Sequence, residues 1–187
     1  ARTSVAPSVR SLFSFEFFNR MQSKCFNVLY QGDDNVVIGA PTAAGKTVCF
    51  EVAMARLFSS ATYKKVLYIA PLKSLVQERL KDWQKKFNTI GLSCQELSGD
   101  TGEALQPSRS VYLTTPEKWD AITRHWKDHA DILENIALVL IDEVHILSDE
   151  RGACLEAVIT RLKFVSGARP PRMVALSAST PNIKDIG

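Results

Sequence analysis

No stretch of this 187-residue chain is long and apolar enough to cross a bilayer as a helix: the longest apolar run, Ile136 to Ile141, falls far below the roughly 20 residues required. Cysteine is sparse, and Cys25, Cys49, Cys94 and Cys154 lie far apart with no C-x-x-C pair, so neither a zinc site nor a disulfide framework is expected. Reduced, half-buried thiols are the expectation instead. The three histidines, His125, His129 and His145, are too dispersed for a metal cluster. Charge bias is also weak. A net charge of +3 and a pI near 8.7 permit a nucleic-acid partner without demanding one. There is no internal repeat and no low-complexity tract, and Ala1 to Ser11 lacks the apolar core and cleavage pattern of a secretory signal. What remains, at 45% hydrophobic and 23% charged residues, is the composition of one ordinary globular domain.

Periodicity then divides the chain. Ala1 to Ser14 has none and reads as an extended lead-in, with the folded domain running from Phe15 to Gly187. Phe17-Phe18, Met21, Cys25-Phe26 and Leu29-Tyr30 recur at helical spacing until Gly32-Asp33-Asp34. Asn35 to Gly39 reads as a strand and Val48 to Phe58 as a helix. Lys65 to Ile69, Leu92 to Leu97, Ser110 to Thr114, Ile136 to Ile141 and Met173 to Leu176 read as further strands. Helices are expected from about Ser74 to Phe87, up to about Trp126, and from Ala153 to Lys163. Such alternation gives an α/β fold, a doubly wound, mostly parallel sheet with helices on both faces. Two basic stretches, the helix face with Lys81, Lys85 and Lys86 and the loop Ser166 to Arg172, are expected to be solvated. The sequence stops in what looks like a helix, so a fragment of a longer protein is expected.

Between the first strand and its helix stands Ala40-Pro41-Thr42-Ala43-Ala44-Gly45-Lys46-Thr47. A strand, a small-residue loop and a helix form the setting of a Walker A loop, whose consensus G-x-x-x-x-G-K-[ST] is missed only by Ala40 for the first Gly. In such a loop backbone N–H groups and the positive helix end face the β-phosphate, Lys46 reaches the β- and γ-phosphates, and the Thr47 hydroxyl ligates Mg2+. Asp142-Glu143-Val144-His145 follows the most apolar strand, at the edge where an open α/β sheet gathers ligands. Asp142 is placed to hold Mg2+ through its water shell and Glu143 to orient and deprotonate the attacking water. Ser177-Ala178-Ser179, after the last strand, sets two hydroxyls beside these carboxylates as a relay between hydrolysis and movement. On chemistry alone Gln22 is an ordinary helix-surface residue.

This order of motifs resembles the first RecA-like domain of a superfamily 2 helicase with a D-E-V-H second motif, from Phe15 to Ile186. F-S-F-E-F-F-N-R-M-Q resembles the Q motif, which makes Gln22 the adenine reader with Phe17 or Phe18 supporting the base. A-P-L-K-S-L (Ala70 to Leu75) and T-T-P-E-K-W-D (Thr114 to Asp120) resemble the two motifs that hold the backbone of the tracking strand. The implied nucleic-acid contacts are Pro71, Lys73, Gly99, Thr115, Pro116 and Lys118, and His145, Ser177 and Ser179 are the implied coupling residues. T-P-E-K-W-D with I-T-R, and D-E-R-G-A-C-L-E after D-E-V-H, resemble the Ski-two-like group. Q-S-K-C-F, G-K-T-V-C-F-E and C-Q-E-L-S-G-D-T are most similar to its meiotic Mer-three DNA helicases. That resemblance implies ATP and Mg2+ as cofactors, 3′-to-5′ unwinding of DNA in crossover formation, and a nuclear location. It also implies a second RecA-like lobe that supplies arginine fingers, so the fragment alone should be nearly inactive. Ala43, where the family usually has Gly, and Ser179, where it has Thr, depart from the pattern. RNA as the track, or a nucleotide-regulated binding module that does not unwind, remain alternatives from the residues themselves.

Overall fold

The structure, a computed structural model, describes residues 4–41, 43–60, 63–97, 104–145, 150–167 and 169–178. Six strands form one sheet: β1 (Val36–Gly39), β2 (Lys65–Ile69), β3 (Cys94–Leu97), β4 (Val111–Thr114), β5 (Ile136–Ile141) and β6 (Arg172–Ser177). Their order is β1-β6-β5-β2-β4-β3, and every adjacent pair is parallel. The helices are α1 (Arg20–Tyr30), α2 (Thr47–Ser60), α3 (Lys73–Asn88), α4 (Pro116–Thr123), α5 (Ala130–Leu133) and α6 (Glu150–Ser166). Side chains alternate between the two faces of each strand, and both faces are covered. Val66 and Tyr68 of β2 join the core under α1, α2 and α3, whereas Leu67 and Ile69 join the one under α4, α5 and α6. That double burial is why the strands read as unbroken apolar runs.

The lead-in is not extended. Pro7–Leu12 forms a 3-10 helix against α2 and α3, and Val5, Val9, Leu12 and Phe13 are buried. Pro7 pre-sets the first turn, and Tyr30 Oη accepts a hydrogen bond from Ala6 N at 2.8 Å. Helix α1 also starts later than Phe15. Phe13, Phe15, Phe18, Phe26 and Tyr30 instead form a chain of ring contacts, 5.2 to 5.9 Å between centroids, which carries the segment onto the domain. Strand–helix alternation breaks once, because β3 and β4 are neighbours and their connection holds no helix among its described residues. Gln95, Lys65 and Tyr112 pin that connection instead, bonding to Ala104, Gln106, Pro107 and Arg109.

Two basic groups expected in solvent are structural. Lys86 donates at 2.6 Å to Glu51, a carboxylate on α2 that is 1% exposed and also accepts from Trp83 Nε1 at 3.2 Å. Burial pushes the Glu51 carboxyl above its usual range, and Lys86 opposes the shift. Arg172 donates from all three guanidinium nitrogens to the carbonyls of Val28, Leu29 and Asp34, closing the C-terminus of α1.

Helix α4 is locked to α6 through Asp120, whose carboxylate accepts from Arg124 at 2.7 Å and Arg161 at 2.9 Å. Hydrogen bonds from Arg124, then Arg161, hold its carboxyl below the usual aspartate value. A depressed folded pKa stabilises above the unfolded value and loses that stabilisation as pH falls through the folded one. Asp120→Asn is therefore expected to cost about 1–3 kcal/mol at neutral pH. The gap to wild type should begin to shrink below about pH 4 and close as pH falls through the lowered folded value, as urea unfolding across that range will show.

Candidate nucleotide site

Strand β6 lies between β1 and β5, so the loops that leave β1 and β5 at their carboxyl ends face each other across Ser177. In the first loop Ala43 and Gly45 both adopt left-handed backbone, at φ +63° and +76°. For Ala43 that conformation costs an L-residue roughly 1–2 kcal/mol, a strain that glycine would avoid. Gly45 is required twice over: besides its φ, a Cβ would meet Gln22 Nε2 at 2.6 Å. Lys46 Nζ donates to Ala40 O and Ser177 O, each at 3.0 Å, which ties the loop to the end of β6. Thr47 begins α2, whose first turn is joined to the loop by hydrogen bonds from Val48 N to Gly45 O at 3.2 Å and from Cys49 N to Lys46 O at 2.8 Å. Thr42 lies outside the described residues.

The loop is gripped from α1 by two side chains. Gln22 Nε2 donates to Gly45 O at 3.1 Å, and Asn19 Nδ2 donates to Ala44 O at 3.0 Å. The same pair forms a capping box, with Gln22 N bonded to Asn19 Oδ1 and Asn19 N bonded to Gln22 Oε1. Gln22 is thus a buried residue rather than a helix-surface one, with one amide hydrogen and one lone pair left for another group. Sequence reasoning missed Asn19, although an Asn three residues before Gln is a capping signature. Asn19→Ala is expected to lower the unfolding free energy by about 1–2 kcal/mol by removing both the cap and the loop contact. Chemical denaturation measures it directly.

Across β6, both oxygens of Asp142 are oriented. Oδ2 accepts from the Tyr68 hydroxyl at 2.8 Å and Oδ1 from Glu143 N at 3.0 Å. Burial and the neighbouring carboxylate push the Tyr68 phenol well above its usual value, so it keeps the proton that it donates. Glu143 adopts φ +53°, turning its side chain toward His145, whose Nδ1 stands 3.2 Å from Oε2. The same nitrogen stands 3.3 Å from Ala178 N. Without a proton Nδ1 accepts from Ala178, and with one it donates to Glu143. Ser177 Oγ is fully buried and has no partner among the described residues, whereas Ser179 lies outside them. The donor set suits a nucleotide with Mg2+: Thr47 and Asp142 offer hard oxygens, and Lys46 supplies the cation.

A model of the DEAD/DEAH box helicase family matches residues 19–186. The chain belongs to that family. Among similar helicases, ATP-dependent DNA helicase homolog MER3 of Arabidopsis thaliana is 45% identical over 95% of this chain and 18% of its own length. Probable ATP-dependent DNA helicase HFM1 of Homo sapiens is 44% identical over the whole chain and 14% of its own length. The chain therefore spans less than a fifth of either relative. A crystal structure of the DUF1998 helicase MrfA bound to DNA and AMPPNP superposes with a TM-score of 0.83 over 98% of this chain and 27% of that one. At 21% identity that likeness establishes the shared fold.

Within this helicase domain, the two loops assigned to the nucleic-acid strand sit at the carboxyl ends of the neighbouring strands β2 and β4. Pro71 and Pro116 are buried, and each precedes or opens a helix. Thr115 caps α4, its hydroxyl accepting from Lys118 N. Lys73 and Lys118 stand in the first turns of α3 and α4. Gly99 lies outside the described residues.

Proposed function

We propose that this chain is the first RecA-like, ATP-binding lobe of an ATP-dependent 3′-to-5′ DNA helicase that acts in the nucleus in meiotic crossover formation. The observation that carries the reading is the convergence on Ser177: Lys46 bonds to its carbonyl from one side, and the Asp142–Glu143 pair stands on the other. A scaffold has no use for an oriented carboxylate pair opposite a phosphate-binding lysine. Its two relatives named as DNA helicases support DNA as the track.

When bound, ATP with Mg2+ supplies the phosphoanhydride whose cleavage drives movement. Gln22 would read the adenine edge with its remaining amide hydrogen and lone pair. Loop N–H groups and Lys46 would hold the phosphates. Thr47 and Asp142 would hold Mg2+, and Glu143 would take the proton of the attacking water. Pro71, Lys73, Gly99, Thr115, Pro116 and Lys118 would line a path for the strand's backbone, which positions without reading bases. His145, Ser177 and Ser179 would pass the hydrolytic state to the second lobe, which supplies the arginine fingers.

Strand separation tests the proposal. The full-length protein should unwind a 3′-tailed DNA duplex only with hydrolysable ATP and leave a 5′-tailed one intact. Equal unwinding of both, or none of either, sinks it.

A further inference from the structure

A line of side chains runs from Asp142 away from the nucleotide and into α3. Tyr68 is fully buried, and its only hydrogen goes to Asp142 Oδ2 at 2.8 Å. Its ring packs edge-on against Trp83, at 5.1 Å between centroids, and against Phe50 at 6.0 Å, so the hydroxyl cannot swing away. Arg79 of α3 lies over the same Trp83 ring, 5.8 Å from its centroid, and its charge opposes the upward shift of the Tyr68 phenol. Arg79 and Trp83 both belong to α3, so a movement of that helix bears on the Tyr68 ring and through it on the hydrogen bond to Asp142. Arg79 stands six residues after Lys73, about 9 Å along the helix that opens in the A-P-L-K-S-L loop.

We propose that Tyr68 and Arg79 are positioning residues that hold the Asp142 carboxylate in its metal-binding orientation and report the placement of α3, and so of the strand-facing loop before it, to that carboxylate. The inference rests on the reading of Asp142 as the Mg2+-holding residue. Glu143 N steadies only one of the Asp142 oxygens. Without the phenol the other is free, and the carboxylate can rotate. A strand that shifts α3 moves Arg79, and the hydrogen bond between Tyr68 and Asp142 tightens or loosens with it. This couples the track to metal affinity through three side chains in one lobe.

The test uses the full-length protein and a fluorescent, non-hydrolysable ATP analogue titrated with Mg2+, with and without single-stranded DNA. Tyr68→Phe should leave affinity for the metal-free analogue unchanged and raise the Mg2+ concentration at half-effect about tenfold, the loss of one charge-assisted hydrogen bond. Arg79→Gln should raise it less and remove the change that DNA produces in wild type, and Arg79→Lys, which keeps the charge, should recover part of that change. Tyr68→Phe titrating like wild type overturns the proposal. So does an equal loss of metal-free and metal-loaded affinity, the mark of a merely structural role. A wild type whose nucleotide binding ignores Mg2+ overturns the nucleotide-site reading as well, which separates the two failures.

Discussion

Glu143→Gln in the full-length protein should bind ATP as tightly as wild type and turn it over about 10²–10⁴-fold more slowly, the range lost with a positioned general base. The backbone helps to place the side chain: Glu143 has left-handed φ, its N–H is bonded to Asp142 Oδ1, and its Oε2 stands 3.2 Å from His145 Nδ1. An amide of the same shape preserves that geometry and Asp142, so binding survives. It has no basic oxygen of comparable strength, so water activation does not. Steady-state hydrolysis beside equilibrium binding separates the two, and undiminished turnover would remove Glu143 from the role of base.

Lys46→Ala should do the reverse and abolish tight ATP binding. The Lys46 ammonium rests on two carbonyls, those of Ala40 and Ser177. Those are neutral acceptors that a phosphate oxygen outcompetes. Charge-assisted bonds contribute about 1.5–3 kcal/mol each, so losing two toward the phosphates weakens binding by roughly a hundredfold or more. The fold should hold, because Asn19 and Gln22 still grip the loop from α1. Calorimetric titration with ATP, beside thermal unfolding, reads both halves.

The sheet, and the loops at its carboxyl edge, were legible because their signals are local. Apolar strands covered on both faces run unbroken, and β2 and β5 lie where periodicity set them. The phosphate loop and the Asp142–Glu143 pair are contiguous motifs at strand ends. What escaped depends on contacts across the fold. Lys86 looked like one charge in a solvated row, because nothing in its neighbourhood along the chain announces Glu51. Arg172 read as a loop cation because the three carbonyls it bonds, two in α1 and one just after it, lie near the other end of the chain. Tyr68 is hidden inside a strand, where its ring is core and only its hydroxyl reaches the site. The lead-in misled for a different reason: a 3-10 turn is too short to show a period, and its apolar residues matter only once α2 and α3 exist to receive them.

The most direct measurement of the central claim is steady-state ATP hydrolysis by the full-length protein with single-stranded DNA, with single-stranded RNA and with neither, at one fixed salt concentration. A DNA-driven motor predicts turnover that rises well above the unstimulated rate with DNA and much less with RNA. Turnover indifferent to both would contradict a motor and leave a nucleotide-regulated binding module, and a stronger response to RNA would contradict DNA as the track.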